Sequence, residues 1–278
     1  MRIGVHYTTT YRYTEPTRRV LQLLRVTPLS FTGQNVLDWR IDVDSDARLR
    51  EGRDGYGNIT HMLYIDRPID LLTITVSGRV LTEDRAGLVQ GLPGELPSEV
   101  FLRPTDLTEA GEALQWLAAT IDEGAGAQLD KLHRLAHDLH RRMRFDAEAT
   151  AIETTAEQAY ASGHGVCQDF AHMFIATARC LEIPARYVSG HLFRRDGAHV
   201  QEASHAWAEA FVQELGWVAF DPTNGICADD AYVRVACGLD YRDAAPLAGA
   251  RSGGGMEALS VEVHVRDGRV QAQTQTQN

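Results

Sequence analysis

Hydrophobic and polar residues alternate along much of the first eighty positions of the chain, and this two-residue period is that of a β-strand. Further strands are predicted over residues 19–27, 36–43, 60–65 and 71–80, and a cluster of turn-forming residues at 54–58 joins two of them. This part of the chain is therefore predicted to form a small antiparallel sheet or sandwich. One parity of the first strand carries Val5, Tyr7, Thr9, Tyr11 and Tyr13.

The period changes after a segment rich in glycine and proline at residues 91–97. Apolar residues then recur at helical spacing in three runs, which predicts three helices. Strands rich in aromatic and β-branched residues are predicted over 185–193, 204–212 and 217–220. Helices followed by an antiparallel sheet indicate an α+β fold. The helical runs are marked by Leu114, Leu117 and Ile121, by Leu132, Leu135, Ala136, Leu139 and Met143, and by Phe170, Phe174, Ala178 and Leu181.

The change of pattern near residue 100 predicts a β-sandwich-like domain at 1–100 and a second domain at 101–270. Within the second, residues 251–255 are expected to be a flexible connection, and the alternation over 259–265 predicts one more strand that closes a sheet. The tail at 271–278, rich in Gln and Thr, has nothing to bury and is expected to be disordered.

Charge and composition narrow the classes of partner. The formal net charge of −11 disfavours binding to nucleic acid, because binding to the phosphate backbone needs clustered Lys and Arg. No apolar stretch approaches the roughly 20 residues that cross a bilayer, and the first residues lack the apolar region of a signal peptide, so no membrane contact is expected. The four cysteines are widely spaced and form no CxxC pair, which predicts reduced thiols and a cytoplasmic location.

A cysteine at the start of the third helical run has the surroundings of a nucleophile. Gly163 and Gly165 allow a sharp turn just before Cys167. In the first turn of a helix, unpaired N–H groups and the positive end of the helix dipole stabilise a thiolate over a thiol. Cys180, Cys227 and Cys237 lack such surroundings and are assigned to packing.

A thiolate also needs an imidazole, and the imidazole needs an acceptor that fixes its tautomer. His205 begins one predicted strand, with Trp207 on the same face, and Asp221 ends the next, before the turn Pro-Thr-Asn-Gly. If these strands are antiparallel neighbours, the two side chains can meet. The order Cys, His, Asp along the chain matches the papain-type arrangement.

Three segments in this order carry a family resemblance. GVCQDFAH at 165–172, SHAWAE at 204–209 and GWVAFDPTNG at 216–225 resemble the core motifs of bacterial transglutaminase-like proteins, relatives of animal transglutaminases and peptide N-glycanases. Residues 11–13 and 25–28 are similar to the domain that usually precedes this core. The resemblance implies a papain/transglutaminase-like core, in which a nucleophile helix packs on an antiparallel sheet behind an N-terminal antiparallel β domain.

The resemblance further implies that Cys167 is the nucleophile, His205 its general base and acid, and Asp221 the residue that orients His205. A thioester formed from a peptide bond or a glutamine carboxamide would be resolved by water or by an amine, and the sequence leaves hydrolysis and transamidation open. The Cys167 N–H is the first expected oxyanion donor, Gln168 and Trp207 are candidates for the second, and His172 is a candidate second-layer partner.

Two other functions compete with an amide-bond enzyme. A non-catalytic peptide-binding module on the same fold is the alternative, and the intact set of three residues argues against it. A metal site is not expected, because Cys167 and the histidines near it show no HExxH motif, paired CxxC or i, i+4 histidine pair. No cofactor is predicted, the partner is expected to be a peptide or protein substrate, and the oligomeric state is left open. These histidines are His164, His172, His191, His199 and His205.

Overall fold

The computed structural model describes residues 1–94, 96–124, 126–147, 150–201 and 203–268. The predicted disordered tail at 271–278 lies outside the described residues. The first part of the chain is built from β1 (Arg2–Thr27), β2 (Gln34–Val43), β3 (Arg48–Arg53), β4 (Ile59–Ile65), β5 (Ile69–Thr82) and β6 (Leu88–Val89).

A short 3₁₀ helix (Ser98–Leu102) leads into a mixed region of helices and strands. Its first half holds α1 (Glu112–Glu123), α2 (Gln128–Arg142), β7 (Arg144–Phe145), α3 (Ala156–Ser162), β8 (His164–Gly165) and α4 (Cys167–Cys180). Its second half holds β9 (Ala185–Leu192), β10 (Val200–Gln201), β11 (His205–Val212), β12 (Gly216–Asp221), β13 (Ile226–Cys227), β14 (Tyr232–Gly238), α5 (Tyr241–Ala244), β15 (Leu247–Gly253) and β16 (Glu257–Asp267).

The long strand β1 organises the N-terminal sheet. It is 26 residues long and pairs antiparallel with β5 and β16 along its first half and with β4 and β15 along its second. The sequence predicted two separate strands here. Pro16 lacks the N–H that a ladder uses, and the pairing with β5 is irregular between Arg12 and Thr17, yet the chain continues as one strand.

Two strands from the far end of the chain complete this sheet. β16 pairs with β1 from Ile3 to Tyr13, and β15 pairs with β1 from Thr17 onward. The expectation of a flexible connection at 251–255 is wrong for residues 251–253, which belong to β15. The turn that follows begins at the last residue of β15, and its glycines at 253–255 all have positive φ. Strand pairing therefore crosses the boundary near residue 100, and the division into domains at 1–100 and 101–270 stays a prediction.

A second antiparallel sheet, in the order β13, β12, β11, β9, β14, carries α4 on one face. Phe174 of α4 stacks on Phe220 of β12, with ring centroids 5.2 Å apart. The other face is covered by the 3₁₀ helix, where Phe101 meets Trp217 edge to face at 5.2 Å. The predicted α+β class is confirmed. No helix in the described part of the chain combines the length and apolar character needed to cross a bilayer.

Two buried side-chain amides join the N-terminal sheet to β14. Gln34 donates to the carbonyl oxygen of Arg234 and accepts from the N–H of the same residue, both at 2.8 Å. Asn58 holds Cys237 in the same way, at 2.7 Å to its oxygen and 2.8 Å to its nitrogen. Because Gln34 and Asn58 are buried, these bonds form away from water, where they are strongest.

A buried ion cluster lies on the face of the second sheet opposite α4. Glu209, which is 0% exposed, accepts from the Nε of Arg186 at 2.6 Å and from the Nε of Arg234 at 2.8 Å. Burial opposes the charge, but the two guanidinium groups hold the pKa of Glu209 below its usual value. Removing one partner from such a cluster costs about 3–5 kcal/mol. We therefore expect the cluster to fix β9, β11 and β14 in register.

Candidate active site

Cys167 is the first residue of α4, at the end of a tight loop. Gly163 ends α3 with φ +76°, a conformation that favours glycine. A Cβ atom on Gly165 would lie 2.7 Å from Oδ2 of Asp169, so this position also requires glycine. The same carboxylate oxygen accepts from the N–H of Val166 at 2.8 Å and from the hydroxyl of Thr150 at 2.6 Å. These contacts fix the start of the helix and the position of the thiol.

His205 and Asp221 meet where β11 and β12 lie side by side. The strands pair antiparallel from Ala208 opposite Phe220, with His205 at the start of one and Asp221 at the end of the other. Nε2 of His205 is 2.7 Å from Oδ2 of Asp221. Cys167 lies close enough to the same imidazole to contribute to its raised pKa. The structure thus brings the three predicted residues together.

Four donors hold the carboxylate of Asp221 in addition to His205. The backbone N–H groups of Thr223 and Asn224 donate to Oδ1 at 2.9 and 3.2 Å. The Asn224 amide and the Tyr232 hydroxyl each donate to Oδ2 at 2.7 Å. The turn sequence after Asp221 hinted at the first three donors. Nothing in the local pattern singled out Tyr232, whose ring lies among core residues and also contacts the ring of His205.

The electrostatics favour a charged histidine. Burial alone would lower the pKa of His205, but the charge of Asp221 and the hydrogen bond to it raise that pKa to about 10. Burial opposes the charge of Asp221 as well, and His205, Tyr232 and Asn224 together lower its pKa. The imidazolium–carboxylate pair is therefore the form present at neutral pH.

The stability of this pair is expected to depend on pH. Below about pH 6.5 an unfolded chain also protonates His205, so the pair stabilises the fold fully; from there to about pH 10 only the folded protein keeps the proton. Relative to His205→Gln, the free energy of unfolding should fall by up to about 1.4 kcal/mol per pH unit in this window. Urea unfolding of both proteins at a series of pH values measures this change in the free energy of unfolding. A difference between the two proteins that stays constant with pH would contradict the prediction.

The three further candidates, Trp207, Gln168 and His172, make different contacts. Trp207 is buried and stacks on His205, with ring centroids 6.2 Å apart, and its indole Nε1 has no hydrogen-bond partner among the described residues. The side-chain amide of Gln168 donates to the carbonyl oxygen of Ile152 at 3.1 Å. His172 accepts from the backbone N–H of Tyr241 at 3.1 Å rather than joining the His205–Asp221 pair. Their predicted roles stay predictions.

Burial shifts the pKa values of His172 and of two other cysteines towards their neutral forms. Burial, with help from the charge of Arg179, lowers the pKa of His172 to about 3, so its ring is neutral. All four cysteines are free. Burial raises the pKa of Cys180 and takes that of Cys227 to about 11. In the described residues, no group of three or more His, Cys, Asp or Glu side chains is arranged to hold a metal ion.

Two family models match the chain, and between them they cover most of both sheets. The model described as the transglutaminase-like superfamily matches residues 115–222, the segment that contains Cys167, His205 and Asp221. The model of the bacterial transglutaminase-like N-terminal region matches residues 3–81. The chain belongs to the transglutaminase-like superfamily. It has the N-terminal region of the bacterial members, as the sequence motifs indicated.

Relatives of this transglutaminase-like protein extend along almost its whole length. The uncharacterized protein ML0607 of Mycobacterium leprae (strain TN) is 31% identical, and the match covers 95% of this chain and 98% of the relative. The uncharacterized protein Rv2569c of Mycobacterium tuberculosis (strain ATCC 25618 / H37Rv) is 31% identical over 89% of this chain and 87% of the relative. Neither relative carries a described activity.

A solved structure supports the fold of the transglutaminase-like protein. A Cytophaga hutchinsonii protein, described as a candidate cysteine protease, superposes with a TM-score of 0.77 at 23% identity. The match covers 96% of this chain and 90% of that chain. The predicted papain/transglutaminase-like core, preceded by an N-terminal β-sheet region, is confirmed as a fold.

Proposed function

We propose that this transglutaminase-like protein is a thiol-dependent enzyme that acts on amide bonds, with Cys167, His205 and Asp221 as its catalytic triad. The observation that carries the proposal is the 2.7 Å bond between His205 and Asp221 beside a thiol at the first residue of a helix. A helix start favours the thiolate, and an imidazolium beside it favours the thiolate further. The substrate class is a peptide or protein.

In the proposed reaction, Sγ of Cys167 attacks the carbonyl carbon of a peptide bond or a glutamine carboxamide. A C–S bond forms, the tetrahedral intermediate collapses, and the C–N bond breaks as His205 gives its proton to the departing amine or ammonia. The acyl group remains as a thioester on Cys167. Water or a primary amine then attacks the thioester, His205 accepts the proton of the attacking group, and the sulfur leaves as thiolate.

The negative oxygen of the intermediate needs at least two donors. The backbone N–H of Cys167 is the first, because N–H groups in the first turn of a helix have no partner within the helix. For the second, Trp207 is favoured over Gln168. The indole N–H of Trp207 is buried next to His205 with no hydrogen-bond partner in the described part of the chain, whereas the amide of Gln168 already donates to Ile152.

We also propose that the enzyme works in a reducing compartment such as the cytoplasm. The support is chemical: Cys167 must stay a free thiol to act as a nucleophile, and all four cysteines are free.

A substrate screen tests the proposal and separates the two outcomes of the thioester. Incubation with a glutamine peptide, with and without a primary amine, should release ammonia if carboxamides are substrates, and amine incorporation then marks transamidation. Cleavage of an unmodified peptide library marks hydrolysis of peptide bonds. If peptides bind but none of these products forms, the protein is a non-catalytic binding module and the proposal fails.

A further inference from the structure

The phenol of Tyr232 is the one donor to Asp221 that comes from β14, outside the turn that carries Asp221 itself. It shares Oδ2 of Asp221 with Nε2 of His205, both at 2.7 Å. Its ring also lies 5.9 Å from the ring of His205 and meets Trp207 edge to face at 5.4 Å. A shift of β14 would therefore move the carboxylate that orients the histidine.

The N-terminal sheet holds the chain on both sides of Tyr232, in the loop before β14 and in β14 itself. Two residues before it, the hydroxyl of Thr82 donates to the carbonyl oxygen of Asp230 at 2.5 Å. Two residues after it, Gln34 bonds both backbone groups of Arg234 at 2.8 Å. Gln34 and Thr82 are buried residues at facing ends of β2 and β5, where they pair with each other.

From these contacts we infer that the N-terminal sheet is part of the triad's machinery: Gln34 and Thr82 act as positioning residues that, through Tyr232, set the orientation of Asp221 and His205. This inference rests on the proposed function and deepens it. Gln34 is hydrogen-bonded to the backbone of Arg234, which lies two residues along β14 from Tyr232. Tyr232 is in turn hydrogen-bonded to Asp221, and Asp221 to His205. Neither positioning residue touches the reacting atoms.

The chain offers a matched control for this role. Asn58 bonds both backbone groups of Cys237, as Gln34 does for Arg234, and it also reaches β14 from the N-terminal sheet. Its contact lies five residues beyond Tyr232, whereas that of Gln34 lies two residues away. Gln34→Ala and Asn58→Ala each remove two buried hydrogen bonds to one strand, so both should lower stability by similar amounts. Only Gln34→Ala should disturb the triad.

The experiment compares Gln34→Ala, Tyr232→Phe, their double variant and Asn58→Ala. In steady-state kinetics, Gln34→Ala and Tyr232→Phe should each lower kcat by roughly ten- to a hundredfold with KM unchanged, since a small misplacement of catalytic groups has effects of this size. The double variant should be no slower than Tyr232→Phe, because both act through one contact. Asn58→Ala should keep wild-type kcat.

A pH profile adds a readout that a purely structural role would not move. The Tyr232 hydroxyl lowers the pKa of Asp221, so its removal should raise that pKa and shift the acidic limb of kcat/KM to higher pH. Gln34→Ala should shift it in the same direction, and Asn58→Ala should leave it in place. Multiplicative losses in the double variant, or equal losses in Gln34→Ala and Asn58→Ala, would overturn the inference.

A third readout does not need turnover, so failure of the proposed function can be told apart from failure of the inference. The proton between His205 and Asp221 should give a downfield NMR resonance, as expected for a short bond of 2.7 Å to a charged acceptor. Gln34→Ala and Tyr232→Phe should move this resonance, and Asn58→Ala should not. If Cys167 of the wild-type protein is unreactive, the enzyme proposal is wrong. If the resonance keeps its position in Gln34→Ala, the positioning role is wrong.

Discussion

Replacing Cys167 by alanine is expected to abolish turnover of any amide substrate while leaving the fold intact. The proposed reaction passes through a thioester on Cys167, which cannot form without the sulfur. Alanine fits the first turn of α4, where Cys167 is only partly buried. Circular dichroism and urea unfolding check the fold, and product release at high enzyme concentration checks the activity.

In the wild-type protein, iodoacetamide at neutral pH should modify Cys167 first, as read by mass spectrometry of peptides. Cys180 is the sharpest control, because it is exposed yet burial of its thiol group raises its pKa, which keeps it protonated. A Cys180→Ala variant should keep full activity and full labelling of Cys167. Equal labelling rates at all four thiols, or turnover by Cys167→Ala, would refute an activated nucleophile at this position.

Asp221→Asn is expected to lower kcat by about 10²- to 10⁴-fold, the range over which general acid–base catalysis contributes. An asparagine keeps the shape of the side chain but removes the charge that, against the effect of burial, raises the pKa of His205 to about 10. That pKa should therefore fall towards 6.5, and the alkaline limb of the rate profile should move down with it. Rate measurements from pH 5 to about pH 10 read both effects.

Asp196→Asn provides the matched control for this change. Asp196 is an exposed acid paired with Arg194, so its substitution alters the net charge equally without touching the triad. Its profile should superimpose on that of the wild type. If the alkaline limb of Asp221→Asn stays where the wild type has it, the carboxylate does not set the ionisation of His205, and the assigned role is wrong.

Much of the site was predictable because its residues come with strong local signals. Glycines required by the turn before α4, a cysteine at the helix start, and a histidine and an aspartate at strand ends each have a physical reason that can be read locally. The pairing of β11 with β12 then needed only a short connection between them. The motifs indicated the three residues, and the antiparallel register of β11 and β12 places Nε2 of His205 2.7 Å from Oδ2 of Asp221.

Elements with weak patterns were missed. Every residue of β3 is exposed, so it has no alternation to detect, and α3 buries only Ala156 and Ala159, which give little periodic signal. Tyr232 was missed for a different reason. Its value to the site comes from a contact with Asp221 on β12, although β11 and β9 lie between β12 and β14 in the sheet. A tyrosine on an apolar strand looks like any core residue until that contact is known.

The closure of the N-terminal sheet by β15 and β16 has a consequence for synthesis on the ribosome. Both strands lie more than 150 residues beyond β5, so one edge of the long strand β1 stays without its partners until residue 267 has left the exit tunnel. Unpaired strand edges invite contact with other chains. The nascent protein therefore completes its N-terminal sheet late, and its synthesis should depend on chaperones that shield open strand edges.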